Sequence, residues 1–77
     1  MKARDVNHLI EKLGGEMVRQ VGSHRRYKVM YPDKEGETHT AFTTVAQHTG
    51  DIPIGTLKSI ERQLEAAFGP GWLRGGK

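Results

Sequence analysis

The chain has 77 residues, of which 35% are hydrophobic, and 12 Lys and Arg against 9 Asp and Glu give a formal charge of +3. This length allows one small domain with a modest core, and the interleaved apolar and charged residues argue against disorder. The absence of cysteine excludes disulfides and thiolate zinc sites. No apolar run approaches the roughly 20 residues of a membrane-spanning helix. Lys2 and Arg4 lead into an amphipathic segment, so we expect no signal peptide and a cytoplasmic protein, while the basicity favours a nucleic-acid partner.

The first predicted element is a helix over residues 3–13. Its apolar residues recur at the spacing of one helix face, and they are Val6, Leu9, Ile10 and Leu13. Gly14 and Gly15 end the helix. His8 lies beside the apolar stripe, and we expect it to have a packing or surface role.

Three strands are predicted next, over residues 16–21, 25–31 and 38–45. Alternation divides the second strand into two faces, with Tyr27, Val29 and Tyr31 on one and Arg26, Lys28 and Met30 on the other. Because the connections are short, the strands are expected to form an antiparallel sheet.

A last helix is predicted over residues 55–68, and Gly69-Pro70 ends it. We therefore expect one domain over residues 1–68 and a partly flexible tail over residues 69–77, from which Trp72 and Leu73 could dock on the core. The order predicts an α+β fold in which both helices cover one face of a three-stranded antiparallel sheet. This α-β-β-β-α order is that of the double-stranded-RNA-binding domain, although order alone says little about function.

The most informative segment is the turn Gly22-Ser23-His24, which interrupts two predicted strands and places His24 at the mouth of a hairpin. Positions 19–28 contain no acid and four cations, which are Arg19, Arg25, Arg26 and Lys28. Histidine can take and give a proton near neutral pH, and cations can hold a phosphate. The pattern therefore points to phosphodiester chemistry on a nucleic acid.

Two histidines are candidates for proton transfer. His24 is the candidate general base or acid, and its alternative is an exposed turn histidine without a role. His48, in the irregular connector 46–54, is a candidate second acid or base or a phosphate ligand, and its alternative is a solvated loop residue. His39 is expected to be a surface residue of the third strand.

The candidate RNA-binding residues are Gly22, Ser23, Arg25, Arg26, Lys28 and, more weakly, Lys58. The three strand cations would hold phosphate, and their alternative is ordinary solvated charge. The Ser23 hydroxyl could donate to a phosphate or close the turn, and Gly22 could supply an unusual backbone angle or let RNA approach closely. Tyr27 and Tyr31 could stack a base, but core packing is favoured.

We expect neither a metal site nor a cofactor. The four histidines show no i, i+4 pair, and no acidic cluster in the sequence complements them. The densest acidic stretch, residues 33–37, has the composition of a turn.

Two segments carry a resemblance to a known family. The first consists of Leu13-Gly14, residues 18–24 and Tyr27. The second consists of His48, residues 51–57, Ile60 and Gln63. Over roughly Ala3 to Phe68 the chain resembles the HicA family of bacterial mRNA-interferase toxins.

The resemblance implies a fold like the double-stranded-RNA-binding domain and an endoribonuclease that cleaves mRNA with one essential histidine, His24. Because RNA carries its own nucleophile, the 2′-hydroxyl, we expect this cleavage to be metal-independent. It also implies the toxin half of a type II toxin–antitoxin pair, whose HicB-type antitoxin covers that histidine. Operator DNA would be reached only through the antitoxin complex, and no membrane partner is implied. A non-catalytic RNA-binding module and a protein-interaction domain are the alternatives.

The sequence departs from the family pattern at two positions. Gly15 stands where the family usually has a bulky aromatic, and Ala46 stands where proline often precedes the connector histidine by two residues. We expect Trp72 to substitute for the missing aromatic anchor.

Overall fold

The computed structural model describes residues 1–74. Its elements are α1 (Ala3–Lys12), β1 (Glu16–Val21), β2 (His24–Pro32), β3 (Thr38–Ala46), α2 (Ile54–Gln63) and α3 (Glu65–Phe68). The predicted α-β-β-β-α order and α+β class are confirmed, except that Leu64 divides the last predicted helix in two. Among the described residues, none of the helices combines the length and the apolar character needed to cross a bilayer.

The three strands form an antiparallel sheet in which β2 is central. His24 pairs with Val21 of β1 on one side and with Ala46 of β3 on the other. The register of β1 shifts between Met17 and Arg19, so Val18 is a bulge in this edge strand. Bulges of this kind increase local twist and discourage further pairing at an edge.

The turn between β1 and β2 consists of Gly22 and Ser23 alone. Gly22 has a φ of +57°, whereas Ser23 keeps a negative φ. This combination fits a type II′ turn, which requires glycine at its first central position and matches the right-handed twist of the strands. The turn therefore starts β2 at His24.

The core lies between the inner face of the sheet and the helices. Its buried hydrophobic residues are Ala3, Val6, Ile10, Tyr27, Val29, Val45, Ile60, Leu64, Trp72 and Leu73. The hydroxyl of Tyr27 donates to Glu11 Oε2 of α1 at 2.6 Å, and the hydroxyl of its cross-strand partner Thr43 donates to Gln63 Oε1 of α2 at 2.6 Å. Since paired residues share a face, both helices cover the same side of the sheet, as predicted.

The chain after α3 returns to the core. Trp72 and Leu73 are 6% and 5% exposed, which confirms that they dock. The indole Nε1 of Trp72 donates to the Glu61 carbonyl at 2.9 Å, and its ring packs edge-to-face on Phe68 with centroids 5.1 Å apart. Residues 75–77 of the expected tail lie outside the described residues.

Position 15 has no room for the aromatic of the family pattern. A Cβ on Gly15 would collide with the Ile10 side chain, and the Gly15 amide donates to the Ile10 carbonyl at 2.8 Å. Ile10 itself is fully buried, so α1 fills this part of the core. That Trp72 substitutes for the missing anchor stays a prediction.

Candidate active site

The face of the sheet opposite the helices, which we call the outer face, holds three of the eight candidate site residues, namely His24, Arg26 and Lys28. The register places on it His24, Arg26, Lys28 and Met30 of β2, beside Glu16, Arg19 and Val21 of β1 and Thr40, Phe42, Thr44 and Ala46 of β3. The inner face carries the buried residues Tyr27 and Val29. Arg26, Lys28 and Met30 therefore lie opposite the core, as alternation predicts.

His24 lies at one end of the outer face as the first residue of β2. Its side chain is exposed, and within residues 1–74 no carboxylate bonds its ring. The imidazole nitrogens are therefore accessible to an incoming ligand. A histidine already paired with a carboxylate would instead be committed to a structural contact.

Two glutamines hold the turn that carries His24. Gln20 Nε2 donates to the Gly22 carbonyl at 3.2 Å, and Gln20 Oε1 accepts from Arg25 Nε at 2.8 Å. On the other side, the Gln47 amide donates to the Ser23 carbonyl at 2.6 Å. The two backbone carbonyls that precede His24 are therefore held by hydrogen bonds from β1 and from the connector, and the side chain of Arg25 is held by the same Gln20.

His48 lies at the same end of the sheet as His24. Ala46, the cross-strand partner of His24, precedes His48 by two residues, and the intervening Gln47 is bonded to the turn. His48 is exposed and lines a cavity of about 270 Å³ with Asp51, Pro53 and other connector and α2 residues. The fold thus places the two histidines, which are 24 positions apart in sequence, at the same end of the sheet.

The connector beyond His48 is held by the N-terminus. The Asp51 carboxylate lies 3.6 Å from the N-terminal amine and 3.5 Å from Lys2 Nζ. These two positive charges lower the pKa of Asp51 below its ordinary value, and the amine has the larger effect. The Ile52 amide also donates to the Met1 carbonyl at 2.8 Å.

The candidate cations separate into three groups. Arg26 and Lys28 lie on the outer face with His24. Arg25 lies on the inner side, where it bonds Gln20. Burial, and then Glu11, raise the pKa of the Tyr27 hydroxyl above its ordinary value, and Arg25 partly offsets that rise. Lys58 lies on α2 beside an apolar groove of the helix layer, away from the outer face. Of the four candidate cations, Arg26 and Lys28 therefore share the outer face with His24, and Arg25 and Lys58 do not.

A comparison with known protein families assigns the chain to a family. Residues 3–66 match the family described as the HicA toxin of bacterial toxin–antitoxin systems. The chain belongs to the HicA toxin family. No curated protein and no solved structure matches it. It is therefore a toxin of a toxin–antitoxin system, and an antitoxin is its partner.

The matched part of this HicA toxin contains both candidate histidines, whereas Trp72 and Leu73 lie beyond it. The family expected from the turn Gly22-Ser23-His24 and the segment 51–57 is confirmed. The docked tail is a feature of this chain outside the matched range.

The expectation that no acidic cluster complements a histidine is wrong for His39. The β2–β3 hairpin brings Asp33, Glu37 and His39 together, with candidate ligand atoms all within 4.8 Å of one another. Asp33 Oδ1 accepts from the amides of Glu35 and Glu37 at 2.8 and 2.9 Å, and Oδ2 bonds His39 Nε2 at 2.6 Å. Asp33 therefore ties the loop together, and the acidic stretch has a structural role.

The two tyrosines contribute to packing in this HicA toxin. Tyr27 is fully buried, which confirms the core role favoured for it. Tyr31 stacks on His39 with ring centroids 5.6 Å apart. Neither arrangement presents a free aromatic face beside His24.

Two polar residues that position the site were not predicted from the sequence. Asn7 is 6% exposed, and its Nδ2 donates to Gln47 Oε1 at 2.7 Å while Gln47 Nε2 donates back to Asn7 Oδ1 at 3.2 Å. This pair ties α1 to the connector before His48. The only signal for this pair in the sequence is the amide side chain of Asn7, which directly follows Val6 of the apolar stripe.

Proposed function

We propose that this HicA toxin cleaves mRNA with His24 as its essential acid–base residue, and that a HicB-type antitoxin neutralises it by covering that histidine. The observation that carries the proposal is the exposed His24, unpaired within residues 1–74, at the end of a face on which Arg26 and Lys28 follow it. Such a face can hold a phosphodiester beside a proton-transfer group.

The chemistry uses the nucleophile that RNA already carries. A base removes the proton of the 2′-hydroxyl, and the 2′-oxygen bonds to phosphorus as the bond to the 5′-oxygen breaks. An acid protonates the leaving 5′-oxygen, so the products are a 2′,3′-cyclic phosphate and a free 5′-hydroxyl. Each proton transfer by a positioned side chain is worth about 10²–10⁴-fold. No step of this transesterification requires a metal.

The residues around His24 have distinct proposed roles. His24 transfers one of the two protons, and His48, at the same end of the sheet, transfers the other. Arg26 and Lys28 stabilise the charge that develops on the phosphorane, because cations aimed at that charge act most strongly in the transition state. Gly22 and Ser23 let the RNA backbone approach the turn closely.

Arg25 and Lys58 have weaker geometric support in this proposal. Arg25 is engaged by Gln20, and Lys58 lies on the helix layer. We therefore propose that Arg25 contributes at longer range and that Lys58 contacts RNA only beyond the cleavage site.

The deciding experiment incubates purified protein with mRNA in the presence of a chelator. We expect His24→Ala to lose about 10²–10⁴-fold in rate. The matched control is His8→Ala, since His8 is exposed on α1. Fragments should end in 2′,3′-cyclic phosphate.

Three results would contradict the proposal. Full cleavage by His24→Ala would exclude the essential histidine, and 5′-phosphate products would exclude transesterification. Salt-sensitive retention of RNA without cleavage by the wild type would instead indicate a non-catalytic RNA-binding module.

A further inference from the structure

The outer face carries a row of positive charge that leads away from His24. His24, Arg26 and Lys28 alternate along β2, so neighbours in the row are about 6.7 Å apart, and Arg19 is paired with Arg26 across the sheet. Arg19, Arg26 and Lys28 have no ion-pair partner within residues 1–74. Glu16, which pairs with Lys28, is the one acid among the strand residues of this face. The face therefore suits a polyanion laid along β2.

An aromatic ring lies beside this row, on the neighbouring strand β3. Phe42 is the cross-strand partner of Lys28 and is 42% exposed. The Arg26 guanidinium lies 4.5 Å from the centroid of its ring. Aromatic rings and arginine planes are the surfaces on which proteins stack unpaired bases. A base on Phe42 would lie next to the cations of β2.

We propose that the outer face binds the single-stranded RNA that flanks the bond cleaved at His24, with Phe42 and Arg26 as the stacking site for one base and Lys28 and Arg19 as phosphate contacts. The inference rests on the proposed function, because His24 locates the scissile bond. Single-stranded RNA is required, since the bases of a duplex are already stacked inside the helix and cannot reach Phe42.

The distribution of apolar residues favours RNA over a protein on this face. Val21 and Met30 are 57% and 59% exposed, but they lie at opposite ends, beside His24 and beyond Lys28. The centres of protein interfaces are depleted of charged residues such as Lys, and their rims are polar. The centre here consists of Arg26, Lys28 and Phe42.

The test measures binding without cleavage, using a fluorescent 2′-O-methyl oligonucleotide of eight nucleotides whose nucleophile is blocked. We expect the wild type to bind the single strand more tightly than the same strand annealed to its complement. Phe42→Leu keeps an apolar side chain and removes the ring, and it should weaken binding about 5- to 150-fold, the range measured for one stacked base. Phe42→Tyr keeps an aromatic ring and should bind as tightly as the wild type.

The charge contacts are tested by the dependence of affinity on salt. Lys28→Gln should lower the slope of log K against log salt by about 0.7, the value for one phosphate of a single strand. Two variants serve as controls and should bind normally. Ile54→Ala removes an apolar side chain that is 70% exposed on α2, and Lys34→Gln removes an exposed cation from the β2–β3 loop.

Normal binding by Phe42→Leu or preference for the duplex would overturn the inference. Variants that bind RNA normally and lose only antitoxin binding would assign the outer face to the antitoxin. Because the oligonucleotide cannot be cleaved, failure of the His24 chemistry leaves these binding results unchanged. The two proposals can therefore fail separately.

Discussion

The backbone amide of Gln47 donates to the carbonyl of Ser23 at 2.6 Å and joins the connector to the turn that presents His24. The side chain of the same Gln47 forms a reciprocal amide pair with Asn7 of α1. One residue therefore couples the first helix, the end of β3 and the turn that carries His24.

The amide pair predicts a coupled loss of stability. Gln47→Ala leaves the buried Asn7 amide without its partner, which costs about 1–3 kcal/mol. Asn7→Ala should cost a similar amount, and the double variant should cost less than the sum because the two changes remove one interaction. Urea unfolding of the four proteins measures this cycle, with Thr49→Ala as an exposed control in the same connector. Strict additivity would show that the pair contributes nothing.

The tail predicts a second effect on stability. Trp72→Ala removes a buried ring and its bond to the Glu61 carbonyl, and such truncations cost about 3–5 kcal/mol. Trp72→Phe keeps most of the packing and loses the hydrogen bond, so it should cost about 0.5–1.5 kcal/mol and remain folded. Thermal unfolding measures both variants, and Ile54→Ala is the exposed control. Unchanged melting of Trp72→Ala would refute the anchor role of the tail.

The elements could be predicted because their periodicities differ. The spacing of Val6 and Ile10 required a helix, and alternation around Tyr27 required a strand with one buried face. The turn at Gly22 and Ser23 predicted His24 at the mouth of the hairpin, and β2 begins at His24 itself, one residue before the predicted strand. The break at Leu64 was missed, since Leu64 is itself buried and continues the apolar stripe of the helix.

The site was less predictable because it depends on register across strands and on contacts between distant segments. Alternation predicts that the adjacent Arg25 and Arg26 lie on opposite faces, and the structure confirms it, but alternation does not show which residues of the neighbouring strands lie beside them. Asp33 and His39 meet only when the β2–β3 hairpin closes. The stacking of Arg26 on Phe42 likewise requires the pairing of β2 with β3, which no local pattern specifies.

The β2–β3 loop predicts a dependence of stability on acid pH. The bond to His39, and then the Glu37 amide, lower the pKa of Asp33 below its ordinary 3.8. A lowered folded pKa means that the unfolded chain binds the proton more readily, so the contribution is complete above 3.8 and is lost as pH falls through the folded pKa. Melting curves from pH 2 to 6 should therefore show less acid destabilisation in Asp33→Asn than in the wild type.

Asp51 is the comparison for this acid range. The N-terminal amine and Lys2 lower its pKa, so its contribution to stability is also lost as the pH falls. Asp51→Asn should remove a separate part of the acid dependence. An Asp33→Asn profile parallel to that of the wild type would show that the hairpin contact does not contribute to folding.

The last prediction separates the two histidines. If His48 transfers the second proton, His48→Ala should lower kcat by about 10²–10⁴-fold with little change in KM, because the interaction exists only in the transition state. Residues that act in one step are not additive, so the double variant with His24→Ala should be scarcely slower than His24→Ala alone. Single-turnover cleavage of a short RNA measures these rates. A His48→Ala rate equal to that of the wild type would assign both protons to His24 and solvent and leave His48 as a residue of the connector cavity.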